Sequence, residues 1–125
     1  MAGRVVHFEI PFEDADRAGR FYTELFGWQL MPMPDMGYTI VATGPTDPQS
    51  GPSESGFING GMFSRDDPSR GTNIVIDVDD VDATLAAVER AGGKVQMAKQ
   101  AVGDMGFTGY FTDTEGNVVG LWQNA

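Results

Sequence analysis

Apolar and polar residues alternate along "VVHFEIP" (5–11). Side chains in a strand point to opposite faces in turn, so Val6, Phe8 and Ile10 fall on one side, His7 and Glu9 on the other. The period then changes. Ala18, Phe21, Tyr22, Leu25 and Phe26 recur at three- and four-residue spacing, which predicts an amphipathic helix with Asp14 as N-cap and Gly27 as its stop. The same sequence of events returns later. "TNIVIDV" (72–78) reads as a strand, and a helix begins at Asp80, carries Val81, Leu85 and Val88, and stops at Gly92-Gly93.

Sliding one segment onto the other by 66 positions aligns Ile10 with Ile76, Asp14 with Asp80, Asp16 with Asp82, Gly27 with Gly93 and His7 with Asn73. Three further strand-like runs follow each helix: "WQLMPMP", "GYTIVATG" and "FINGGMF" after the first, "KVQMAKQ", "GFTGYFTD" and "NVVGLWQ" after the second. The chain is therefore expected to be α+β, two tandem strand-helix-strand-strand-strand repeats with eight strands and two main helices. Repeat one covers 4–63, a linker 64–71, and repeat two 72–123, within a single domain 1–125. The Pro-, Gly- and Ser-rich stretch from Thr43 to Gly56 reads as a long mobile loop. It is either a lid over a site or a plain excursion.

Composition narrows the function. The 125 residues carry 18 acids against 8 bases, a net charge of −10 that repels phosphate backbones and anionic lipid, so neither nucleic acid nor membrane is an expected partner. No run approaches the roughly 18 apolar residues of a membrane span, and the N-terminus turns acidic before a signal-peptide core forms, so a cytoplasmic location is expected. The absence of cysteine excludes disulfides, thiolate nucleophiles and thiolate metal sites.

The segments "HFEIPFEDADRAGRFYTELFGW", "IVIDVDDVDATLAAVERAGGKV" and "FTDTEGNVVGLWQ", with Asp113, Gly116 and Asn117 at the last hairpin turn, resemble the vicinal oxygen chelate superfamily. That superfamily includes glyoxalase I, extradiol dioxygenases and bleomycin-resistance proteins. The resemblance spans nearly the whole chain. It implies curled mixed sheets around a cup, and it implies a homodimer. It does not fix the reaction, because the superfamily hosts isomerases, dioxygenases, lyases and pure binding proteins.

Metal-dependent members place up to four ligands in the cup, one on the first and one on the last strand of each half. Carried onto this chain, the first-strand positions are His7 and Asn73, and the second half's last-strand position is Gly120. A shift of 60 positions puts Gly60 at the first half's equivalent, with Asn59 as the nearest alternative. One side chain of four can ligate well, whereas catalytic zinc takes about three protein ligands and iron oxygenases two His and a carboxylate. No cofactor or tightly bound metal is expected, and His7 is the only surviving candidate ligand.

The same positions then describe a small-molecule pocket. His7, Glu9, Ile58, Gly60, Met62, Asn73, Val75, Val118, Gly120 and Trp122 are expected to line it, a mostly apolar surface with a few polar groups. Met31, Met33, Met36, Met62, Met97 and Met105 either fill irregular core gaps or form an adaptable wall. His7 is either a leftover at an ancestral ligand position or, with Glu9, a proton-transfer pair whose carboxylate raises the imidazole pKa. Three functions follow: a metal-independent binder of a small apolar or aromatic molecule, a metal-free enzyme moving a proton on a carbonyl compound through His7 and Glu9, and a glyoxalase-like metal lyase, which the ligand tally opposes.

Overall fold

A computed structural model describes residues 3–67 and 69–125, so Pro68 of the expected linker lies outside the described residues. The element order is β1 (Arg4–Phe12), α1 (Ala15–Phe26), β2 (Gln29–Met33), a single 3-10 turn (Pro34–Met36), β3 (Tyr38–Ala42), β4 (Thr46–Asp47), β5 (Gly51–Pro52), β6 (Asn59–Ser64), β7 (Asn73–Asp77), α2 (Val81–Arg90), β8 (Lys94–Val102), β9 (Gly106–Thr112) and β10 (Val118–Asn124). The fold is α+β with the repeat read from the sequence. The two short strands β4 and β5 are additional. They pair Thr46 with Pro52 and Asp47 with Gly51 inside the stretch read as a long mobile loop. Asp47 closes the turn between them by accepting the N–H groups of Gln49 and Ser50 at 2.8 and 3.2 Å.

Both helices start where a capping carboxylate satisfies a first-turn donor that has no partner within the helix. Asp14 accepts the Arg17 N–H and Asp80 the Ala83 N–H, each at 3.0 Å. Gly27 ends α1 with φ 71°, and its N–H donates to the Thr23 carbonyl at 2.9 Å. A left-handed conformation of this kind favours glycine because it carries no Cβ.

The chain forms two compact units, His7–Thr72 and Asn73–Ala125, the latter together with the residues up to Val6. Within the first, the strand order is β2-β3-β6-β1, with β1 and β6 parallel and the other pairs antiparallel. Register decides which side chains share a face. Glu9 stands opposite Gly61, Gly61 opposite Ile40, and Ile40 opposite Met31. His7, Glu9, Asn59, Gly61, Tyr38, Ile40, Met31 and Met33 therefore point to one side. Phe8, Ile10, Gly60, Met62, Thr39 and Val41 point to the other, the side of α1. There Trp28 stacks on Tyr22, with ring centroids 4.7 Å apart, and lies against Phe8 at 5.7 Å.

In the second unit the order is β7-β10-β9-β8, with β7 and β10 parallel. Val81 and Leu85 of α2 bury themselves against Leu121, which is 1 % exposed, and Ile76, Val78, Val95, Phe107 and Phe111 pack around them. Fully burying a side chain of this size is worth about 1.5–3 kcal/mol. The opposite face carries Asn73 and Val75 on β7, Val118, Gly120 and Trp122 on β10, and Thr108, Tyr110 and Thr112 on β9.

Candidate functional site

On the free face of the first unit, two hydrogen bonds meet at one hydroxyl. His7 Nε2 lies 2.8 Å from the Tyr38 Oη, and that hydroxyl donates to Glu9 Oε2 at 3.1 Å. β1 supplies the histidine and the carboxylate two residues apart, and β3 supplies the tyrosine across β6. The strand between them makes room. A Cβ on Gly61 would overlap the hydroxyl and ring of Tyr38, so only glycine lets the phenol lie flat over β6 toward β1. Glu9 is 6 % exposed and His7 half-buried.

Burial lowers the His7 pKa from its ordinary value, and the negative charge of Glu9 opposes that shift without overcoming it. This reverses the direction expected from the sequence, where the neighbouring carboxylate was the visible influence. A strand pattern shows which side chain stands two residues away. It does not show how much water the fold removes, and loss of water disfavours the imidazolium.

The register also corrects the repeat alignment at the last strand. With His7 equivalent to Asn73 and Glu9 to Val75, the residue opposite Glu9 is Gly61 and the residue opposite Val75 is Gly120. The equivalent of Gly120 is thus Gly61, 59 positions earlier, and not Gly60. Because side chains alternate, a one-residue slip moves a position to the other face. Gly60 faces away from His7, and a Cβ there would meet the Phe8 ring. Met62 likewise faces α1. It borders a hollow of about 330 Å³ lined by Ile10, Phe12, Ala18, Phe21 and Tyr22 on the side away from His7. Ile58 precedes β6, and its carbonyl accepts the Thr43 hydroxyl at 2.8 Å.

The remaining expected positions belong to the second unit, where Asn73, Val75, Val118, Gly120 and Trp122 share one sheet face. The Asn73 amide donates to the Ile74 carbonyl at 3.1 Å, and the Trp122 indole N–H donates to Asn124 Oδ1 at 2.8 Å. A Cβ at Gly120 would stand 3.0 Å from Tyr110 Cε2 and 3.1 Å from Val75 Cγ2. Both last-strand glycines therefore lie against a tyrosine of a neighbouring strand. Neither tyrosine was singled out from the sequence. The contact of the Tyr38 ring with Gly61 spans 23 positions and emerges only once strand register is known.

His7 is the only imidazole, its Nε2 is engaged with a phenol, and the other positions equivalent to ligands in metal-dependent relatives are Asn73, Gly61 and Gly120. Among the described residues, no three His, Cys, Asp or Glu side chains gather in a group able to hold an ion.

The apolar character of the histidine face comes from Met31, 63 % exposed, and from Ile40 and Met33. His7 and Glu9 thus share their sheet face with accessible apolar side chains of β2 and β3.

Comparison with known proteins agrees with this architecture. Residues 4–44 match the family described as bleomycin resistance protein-like N-terminal. The chain is 34 % identical over 120 residues to a glyoxylase-like domain-containing protein of Didymella fabae, covering 94 % of this chain and 91 % of that one. It is 31 % identical over 126 residues to a probable lactoylglutathione lyase of Vibrio parahaemolyticus, covering 98 % and 91 %. A solved structure of a glyoxalase/bleomycin resistance protein/dioxygenase superfamily member from Vibrio splendidus superposes with TM-score 0.64 at 15 % identity, covering 99 % of this chain and 100 % of that one. The chain belongs to the vicinal oxygen chelate superfamily, the glyoxalase and bleomycin-resistance group.

Proposed function

We propose that this protein binds a small apolar or aromatic organic molecule on the His7 face without a tightly bound metal. The observation that carries the reading is Tyr38: its hydroxyl sits between His7 and Glu9, over a glycine at a position where metal-dependent relatives carry a ligand. Met31, Met33 and Ile40 supply adaptable apolar contact, and the polar trio supplies orientation. A metal-dependent lyase of the kind named for the Vibrio relative would need acidic ligands where this chain has Gly61 and Gly120. The working assembly in this reading is a cytoplasmic homodimer.

A second reading rests on the lowered His7 pKa. An imidazole kept neutral near pH 7 can take a proton alpha to a carbonyl, with Tyr38 and Glu9 orienting it. The two readings separate in one experiment. Untagged protein is screened against flat organic compounds by thermal unfolding, and each hit is then followed for turnover. A ligand at about 100 times its Kd should add about 2.7 kcal/mol of stability. Binding without turnover supports the first reading, and turnover abolished by His7→Ala supports the second. If no compound raises the unfolding temperature of wild type by more than it raises that of a Met31→Asp/Ile40→Asp variant, both are lost.

A further inference from the structure

The hydrogen bonds around Tyr38 carry information about proton positions that the proposed function, on which this inference rests, does not use. A phenol has one proton to give and lone pairs that accept. The Tyr38 proton is directed to Glu9 Oε2, which as a carboxylate oxygen accepts. The 2.8 Å contact with His7 is then a hydrogen bond only if the imidazole donates, which requires the proton on Nε2. A neutral imidazole with Nε2–H has its lone pair on Nδ1.

We infer that Tyr38 is a positioning residue: it links Glu9 to His7, fixes the Nε2-protonated imidazole, and so makes Nδ1 a hydrogen-bond acceptor for a neutral ligand bearing a hydroxyl or N–H donor. Anionic ligands are disfavoured on the same ground. The acceptor lone pair, the Glu9 carboxylate and the net charge of −10 all oppose a second negative group. The role is distinct from plain packing, because a phenylalanine would fill nearly the same space over Gly61 while leaving the imidazole free to choose its tautomer.

The chain has a single histidine, so its ring signals in a nitrogen-15 labelled, untagged sample need no further assignment. A long-range proton–nitrogen spectrum taken above pH 7 should show Nε2 protonated and Nδ1 unprotonated, with a slowly exchanging Nε2–H resonance. In Tyr38→Phe that resonance should be lost to fast exchange and the tautomers should mix. In Glu9→Gln, whose amide oxygen can still accept from Tyr38, the wild-type pattern should persist. Phenol added to wild type should shift Nδ1 at least tenfold more than anisole, which has no donor.

An Nδ1-protonated wild type, or an Nε2–H signal unchanged in Tyr38→Phe, overturns the inference. Phenol that perturbs Met31 and Ile40 without moving Nδ1 overturns the ligand preference alone and leaves the binding reading standing. Phenol and anisole that perturb nothing on this face count against both.

Discussion

Gly61→Ala is the substitution that most directly probes why Tyr38 can reach β1. The new Cβ would overlap the hydroxyl, Cζ and Cε2 of Tyr38, so the ring must leave its place over β6. Both bonds at the hydroxyl go with it, the 2.8 Å contact with His7 and the 3.1 Å bond to Glu9. A neutral hydrogen bond contributes about 1 kcal/mol and one to a charged group about 1.5–3 kcal/mol, so the loss is about 2.5–4 kcal/mol. Replacing a strand glycine by alanine recovers about 0.5–1 kcal/mol through the unfolded chain. The expected net cost is therefore about 1.5–3.5 kcal/mol. Equilibrium urea unfolding followed by tryptophan fluorescence should show a lower midpoint at unchanged slope.

The decisive control is the same substitution in a Tyr38→Ala background. With no ring to displace, Gly61→Ala should be neutral there or stabilising by up to about 1 kcal/mol, a change of sign between backgrounds. An equal cost in both backgrounds would refute the idea that Gly61 is glycine for the sake of Tyr38.

Other outcomes follow from the same geometry. Because the folded-state pKa of His7 is lowered, the unfolded chain takes up a proton that the folded chain resists. The stability His7 contributes is complete above its unfolded value of 6.5 and is lost as pH falls through the folded value. His7→Gln should flatten the pH dependence of the unfolding free energy in that window, and an unchanged slope counts against the burial argument. Gly120→Ala should cost less than Gly61→Ala, under about 1 kcal/mol, since only a ring edge and a methyl need give by a few tenths of an ångström. Leu121→Ala removes the side chain on which Val81 and Leu85 close, and should cost about 2–5 kcal/mol by urea unfolding. Asp80→Ala removes the cap of α2 and should cost about 1 kcal/mol.

How far the sequence could be read depended on the range of the interaction. The caps Asp14 and Asp80, the stop at Gly27 and the alternation of "VVHFEIP" are local, and each stands in the structure where the pattern puts it. The repeat was legible because both halves obey the same local rules. The last-strand alignment failed by one residue because the glycine pair in "FINGGMF" offers no apolar alternation to mark which face is which. Tyr38 was missed for a related reason. Its ring covers a residue 23 positions away on the next strand, and nothing in "GYTIV" reveals that this residue is a glycine. The direction of the His7 shift could not be read either, since desolvation depends on what the whole unit stacks around the ring. Asp47 and its turn show the reverse case. Gly and Pro correctly marked an irregular segment, but they did not reveal that its ends would pair as β4 and β5.

Metal titration tests most directly whether the His7 face is organised by a phenol where metal-dependent relatives use an ion. Untagged protein is titrated calorimetrically with Zn²⁺ and with Ni²⁺, beside a His7→Ala variant and a Tyr38→Ala/Gly61→Glu variant that restores a carboxylate to the strand. Wild type should take up neither ion at micromolar concentration and should match His7→Ala, while the double variant, with His7, Glu9 and the new glutamate together, should bind. One equivalent of tightly bound metal in wild type, lost on replacing His7, would contradict the claim.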